Sequence, residues 1–256
     1  MANKGETKSQ KSISAPTTRY FGKKTTTFTV KGRPGPHNKQ TSVPLSFALV
    51  KILEIAKTTT EAKKIIADGK IKINGTIRKE AKFQIGLFDI ISIEAQKKKY
   101  RILLDKKGRL VVKEIDAKIK DFKISKVVSK RMIKKGKIEV TTNDGFTIIL
   151  EKEKINVNDS LKLSMPEQKI EEIYPLIQGN TAYIVGGTHV GDINTVKEII
   201  KGTMQRKELV SLENKNTKFQ TVTRNVFIIG KDKAEIEVLK EWLLCKTKWK
   251  QSKLKK

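Results

Sequence analysis

The stretch KIKINGTIR, residues 70–78, leaves its backbone few options. Ile71 and Ile73 alternate with Lys70 and Lys72, and Asn74-Gly75 supplies the two left-handed central residues that a tight hairpin needs. The design recurs downstream. YRILLDKKGRLVVKEI sets two apolar runs around a Lys-Lys-Gly turn, and GKIEVTTNDGFTIILEKEKI sets two more around Asn143, Asp144 and Gly145. A chain punctuated this way must be built largely of antiparallel strands whose side chains alternate between two faces.

Helical spacing appears first in the region before the first hairpin. Leu45, Ala48, Leu49, Ile52, Leu53 and Ala56 recur on one face, with Ser42 as the expected cap and Pro44 in the first turn. A second helix follows in TTTEAKKIIADGK. Thr58 and Glu61 stand in capping-box register, Ala62, Ile65 and Ile66 form the apolar stripe, and Gly69 ends it. After Pro166 and Pro175, GNTAYIVGGTHVGDINTVKEII and KELVSLENKNTKFQTVTRNVFIIG read as short strands with Gly-rich turns, the pattern of a small barrel. From Asp232 a further capping box, Asp232 with Glu235, precedes an apolar stripe of Ala234, Val238, Leu239, Trp242 and Leu243 and a run of lysines.

Charge narrows the partners. Lys and Arg number 55 against 27 Asp and Glu in 256 residues, a net charge of +28. Self-repulsion of that size opposes compaction unless a polyanion neutralises it, so nucleic acid is the expected partner. Residues 1–42 hold nine basic groups and one acid among Ser, Thr and Gly, too little apolar surface to offset their own ordering entropy; they are expected to order on a partner. No stretch approaches the roughly 20 apolar residues of a membrane span, and no apolar signal-peptide core leads the chain, so a soluble, cytoplasmic protein is expected.

Chemistry finds little footing. The single cysteine, Cys245, excludes an internal disulfide and a paired-cysteine zinc site, and His37 and His189 are the only histidines. GGTHVG, residues 186–191, fits neither G-x-G-x-x-G nor a P-loop, and no G-x-S-x-G elbow or H-E-x-x-H appears. No cofactor, metal or small-molecule substrate is expected, and no catalysis. The basic groups Lys63, Lys64, Lys70, Lys72, Arg78, Lys79 and Lys82 instead cluster around the helix-to-strand junction, where a shared face would meet successive phosphates. The same spacing also allows an undifferentiated solvated lysine surface. Just before the first helix, RPGPH stiffens the joint; Arg33 is set to pair a phosphate, and His37 to hydrogen-bond or stack at the same place, with a local structural role as the alternative.

These segments carry a resemblance. RPGPH with its following apolar helix, then TEAKKIIADGKIKINGTIRKEAKFQIGLFDIISI, YRILLDKKGRLVV, NDGFTIIL, GGTHVG and FIIG at residue 230 together closely resemble the e-type family of small-subunit ribosomal protein number four, the archaeal form more than the eukaryotic. The resemblance implies a structural component of the small ribosomal subunit that contacts ribosomal RNA and neighbouring ribosomal proteins. It implies that Lys63, Lys64, Lys70, Arg78, Lys79 and Lys82 lie in an RNA-binding helix-turn-strand region and that Gly191 is the glycine of a KOW motif. The expected architecture is α+β, mainly β: a basic extension (1–42), a two-helix plus small-sheet module of S-four type (43–97), a central β domain (98–170), an SH3-like KOW barrel (171–231), and a C-terminal helix with a basic tail (232–256). Two rivals share parts of this pattern. Pseudouridine synthases also carry S-four type modules, but where they resemble G-R-L-D this chain has Val111. KOW-containing transcription factors need neither the two-helix module nor basic groups at both ends.

Overall fold

The computed structural model describes residues 9–19, 21–116, 121–133, 136–150, 155–214, 217–231 and 234–236. Strands β1 (Ser9–Lys11) and β2 (Phe28–Val30) pair antiparallel and open the chain. The expectation of an arm that orders on a partner is corrected for its described residues: from residue 9 on they are folded back on the rest of the chain. Arg33 N donates to the Lys82 carbonyl at 3.0 Å, Gln84 Nε2 donates to the Arg33 carbonyl at 2.8 Å, and His37 is buried. The surface that residues 1–42 lack is supplied by the module that follows them.

A short strand β3 (Val43–Pro44) pairs with β6 (Gln84–Ile85), and helix α1 (Leu45–Phe47) runs on into a π turn, Ala48–Ile52. The spacing predicts a longer helix capped by Ser42. Instead Pro44 holds the N-cap position, and Ser42 Oγ, with one proton to give, lies between two acceptors, the Asn38 carbonyl at 2.6 Å and Gln84 Oε1. Leu53 N reaches the Ala48 carbonyl five residues back, and Glu54 at φ 53° ends the helix, while Leu45, Ala48, Leu49 and Ala56 are still buried. The apolar periodicity is right about burial and wrong about helix length, because a π turn and a break present the same face.

Helix α2 (Thr59–Ala67) follows its sequence signals closely. Glu61 N donates to Thr58 Oγ1 at 3.2 Å, and the Glu61 carboxylate accepts from Lys57 N at 2.8 Å, so the box closes one residue before the cap. Strands β4 (Ile71–Ile73) and β5 (Thr76–Ile77) form the expected hairpin, with Asn74 at φ 50° and Gly75 at φ 77°. With β7 (Ile90–Ile93), β8 (Lys98–Leu104) and β9 (Leu110–Ile115) they make a five-stranded antiparallel sheet in the order β5-β4-β7-β8-β9.

The central sheet has the order β12-β11-β10-β13-β14, with β10 (Phe122–Met132), β11 (Ile138–Thr142), β12 (Thr147–Leu150), β13 (Ser160–Ser164) and β14 (Lys169–Tyr174). Its long middle strand β10 pairs with β13 along Phe122–Lys126 and with β11 beyond Val127, where a register shift separates the two halves. The last sheet has the order β18-β17-β16-β15-β19: β15 (Thr181–Ile184), β16 (Ile193–Ile200), β17 (Leu209–Glu213), β18 (Lys218–Val222) and β19 (Val226–Gly230). Among the described residues the fold is thus mainly β, with two short helices.

The first and last sheets share one core. Ile71, Ile91, Leu103, Tyr183, Val196, Phe227 and Ile228 belong to a single buried cluster, in which Phe88 meets Tyr183 at 5.6 Å and Phe227 at 5.9 Å between ring centroids. The Tyr183 hydroxyl accepts from Leu104 N at 3.0 Å and donates to Leu104 O at 3.1 Å, which locks β15 to the end of β8. The central sheet keeps a smaller core of its own, Val127, Val140, Ile155, Leu161, Leu163 and Met165. The helix expected after Asp232 lies almost wholly outside the described residues; within them Ile236 is buried and Glu235 N donates to the Ile229 carbonyl at 3.1 Å.

Candidate nucleic-acid interface

Lys63 and Lys64 stand exposed on α2, on the side away from the buried Ala62 and Ile66. Gly69 turns the chain out of that helix, and a β-carbon built on it would lie 3.5 Å from Ile77 and 3.6 Å from Cε of Lys79, so the β4–β5 hairpin runs beside the helix end. That brings Lys79 next to Lys70, which is exposed and 3.2 Å from Asp68. Exposed Arg78 lays its guanidinium 4.8 Å over the ring of Phe83. Arg33 of the arm joins this region through an ion pair with Glu80 and through the backbone of Lys82. A helix end, a hairpin and the arm therefore present Lys70, Lys79, Arg78, Arg33 and half-buried Lys82 along adjoining segments.

Lys72 is differently placed. Its ammonium lies 2.6 Å from Glu94, just past the end of the neighbouring strand β7, so its charge is already paired within its own module. Gly191, expected as a contact glycine, has an internal reason for lacking a side chain. At φ 85° its backbone passes so near the β8–β9 turn that a β-carbon would stand 3.1 Å from the Leu104 carbonyl oxygen. His189 stacks its ring on Phe219 with centroids 3.9 Å apart and lies 3.8 Å from Asp192.

Of the two readings of His37, the local structural role is the one its placement fits. Rather than facing a ligand at the joint, its ring is buried with Nε2 at 2.8 Å from Asp89 and Nδ1 at 3.4 Å from Asp144. Lys123 closes the group, its Nζ at 2.6 Å from Asp89 and 3.0 Å from Asp144. Asp89 also accepts from Gly86 N at 2.7 Å and from Asn74 Nδ2 at 2.8 Å, and Asp144 accepts from Ser125 Oγ at 2.6 Å. Burial pushes the Asp89 carboxyl up, but the Lys123 charge and the His37 contact outweigh it and hold the group well below the usual carboxylate range. Burial likewise pushes Lys123 down, and its two carboxylates reverse that and raise it. Both remain ionised, so the cluster is a satisfied buried ion network joining arm, first sheet and central sheet.

The alternation of β10 explains the arrangement. Lys123 and Ser125 point to this network, while Phe122, Ile124 and Lys126 point to the other face, towards the shared core. The Lys126 ammonium donates to the carbonyls of Thr223 at 2.5 Å and Val226 at 2.9 Å, and burial lowers its pKa to about 8. Two lysines and a serine set among the apolar residues of FKISKVV are the available signal of this role.

Matches to known proteins run along the chain. The model for ribosomal family S4e matches residues 96–170, an S4 domain matches residues 47–91, and the RS4NT (NUC023) domain matches residues 4–40. The small ribosomal subunit protein eS4 of Methanococcus maripaludis strain S2 is 38% identical over 247 residues, covering 93% of this chain and 100% of the relative. That of Archaeoglobus fulgidus is 36% identical over 230 residues, covering 90% and 96%. The crystal structure of the 30S ribosomal protein S4e from Thermoplasma acidophilum superposes with a TM-score of 0.64 at 32% identity, covering 75% of this chain and 96% of that one.

Proposed function

From the premise that this chain belongs to the ribosomal S4e family, we propose that it is a structural constituent of the small ribosomal subunit, held there by ribosomal RNA. The end-to-end correspondence with archaeal small-subunit proteins is the observation that carries this reading. The basic excess supports it, since a net charge of +28 needs a polyanion of ribosomal RNA's kind close by. The protein acts by positioning RNA and neighbouring ribosomal proteins in the cytoplasmic particle, without catalysis, cofactor or small-molecule substrate.

Within that role the parts divide as the chain is punctuated. Residues 1–42 serve as the basic extension, 43–97 as the S4-type module, 98–170 as the central β domain, 171–231 as a KOW-type barrel built on β15–β19, and the lysine-rich 232–256 as a basic tail. Lys63, Lys64, Lys70, Arg78, Lys79 and Lys82, with Arg33 from the arm, meet RNA phosphates at the junction of α2 and the β4–β5 hairpin. Lys72 contributes only by exchanging Glu94 for a phosphate, and Gly191 by letting the barrel sit against β8–β9.

Binding of this kind releases counterions, so affinity for a small-subunit ribosomal RNA transcript falls linearly with log salt. Replacing Lys63, Lys64, Arg78 and Lys79 by Ala is expected to weaken binding and flatten that dependence by about 0.7 to 0.9 for each phosphate that is no longer neutralised. An unchanged slope would reject this face.

A further inference from the structure

A second basic feature lies away from that junction. Thr17, Arg19, Phe21 and Lys23 of the arm and Lys107 and Arg109 of the β8–β9 hairpin line a cleft of about 360 Å³. Four of the six lining residues are cationic and none is acidic. Its walls are fixed to each other, since Leu110 N donates to the Thr18 carbonyl at 3.0 Å and Thr18 Oγ1 donates to the Gln40 carbonyl at 2.9 Å. The turn carrying Lys107 and Arg109 is closed by two bonds of 2.8 Å, Asp105 N to the Arg109 carbonyl and Gly108 N to the Asp105 carbonyl.

Arg19 makes the cleft unusual. The residue is 2% exposed, and its Nη1 donates to the Val30 carbonyl at 2.8 Å. Its Nε and Nη2 are buried and have no hydrogen-bond partner among the described residues. Its unneutralised charge lies directly beneath the cleft and adds to the positive field there. Burial without a counter-charge lowers the Arg19 pKa to about 10, a cost that a bound anion removes. Lys23 is steered to the same wall by its bond to the Ala15 carbonyl at 2.9 Å.

We propose that this cleft is a preformed anion site that takes one phosphate group, which in the assembled particle is a phosphodiester of the RNA backbone. The identity of the donor rests on the ribosomal reading; the anion site itself does not. Recognition is through charge, so it is indifferent to base sequence.

The test separates the two. The full chain is melted in sodium phosphate and in sodium chloride of matched ionic strength. The unaltered protein is expected to gain thermal stability specifically from phosphate, and the double variant Lys107→Ala, Arg109→Ala to need at least about tenfold more phosphate for the same gain, as expected for the removal of two cationic partners. Lys107 is exposed and Arg109 half-exposed, so this pair is replaced without opening a core. A missing phosphate-specific gain, or an equal gain in the double variant, overturns the site. In the second arm, the same variant should flatten the salt dependence of ribosomal RNA binding by about one phosphate's worth, 0.7 to 0.9. A phosphate effect with an unchanged RNA slope overturns RNA as the donor. Failure of the unaltered chain to bind ribosomal RNA defeats the ribosomal reading while the melting arm still decides the cleft.

Discussion

Gly86 approaches the ring of His37 so closely that a β-carbon built on it would stand 2.3 Å from Nδ1. The turn that donates its N–H to Asp89 is therefore also the floor on which the arm's histidine lies. Gly86→Ala forces the ring out of the network or bends the turn. Overpacking of this kind costs about 1–3 kcal/mol, and breaking the His37 bonds adds to it. The expected result is a lower urea midpoint together with faster protease cleavage of the arm. Unaltered midpoint and cleavage would show that His37 does not fasten the arm.

Removing Lys123 tests the ion network from its centre. Lys123→Met leaves Asp89 and Asp144 buried and facing each other, and breaking a buried pair in this way costs about 3–5 kcal/mol. Acid should act on the unaltered protein in the same direction. Folding depresses the Asp89 pKa, so below about pH 4 the unfolded chain binds a proton that the folded chain refuses. The stability Asp89 contributes is present above that value and lost as pH falls towards its folded value. Urea unfolding at a series of pH values from neutral down to acid, with Asp89→Asn for comparison, measures it; a variant that loses stability in acid as steeply as the unaltered chain contradicts the assignment.

Lys126 gives the opposite sign. Its folded pKa of about 8 lies below the ordinary lysine value of about 10.4, so between these two the unfolded chain holds a proton that the folded chain has released. This group's contribution to stability therefore rises with pH across that window. Comparing the pH dependence of unfolding in the unaltered chain and in Lys126→Met isolates the contribution from the other lysines. The difference between them should change in favour of the unaltered chain as pH rises above 8.

Tyr183→Phe removes one oxygen that serves both backbone groups of Leu104. Leaving a buried donor and acceptor unpaired costs about 1–3 kcal/mol each at most, and the loss is local. Hydrogen exchange should accelerate at the Leu104 amide before it does in the central sheet. Uniform acceleration would mean that β15 is not fastened to β8 through this hydroxyl.

What is legible in the sequence follows from the range over which each interaction is decided. Thr58 with Glu61, Gly69, Asn74-Gly75 and the glycine turn at residue 108 are settled within a few neighbouring residues, and all are readable. The ion network is not. His37 and Asp89 are 52 residues apart, Lys123 and Asp89 are 34, and nothing local distinguishes these side chains from solvated ones. His37 is left between two readings for that reason: a stiff RPGPH loop looks alike whether its histidine faces a ligand or its own protein. Arg19 is hidden similarly, one cation among nine in a segment whose composition speaks only of charge. The basic face around α2 is legible as a set of residues, while the pairing of Lys72 with Glu94 needs the strand register.

The central claim is membership of the small subunit, and sedimentation tests it most directly. A lysate spread over a density gradient at low salt, with fractions probed for this chain, should place it with small subunits and move it towards free protein as salt rises, because its hold is through phosphates. Finding it only in free or polymerase-containing fractions at low salt, and never with small subunits, would contradict the account.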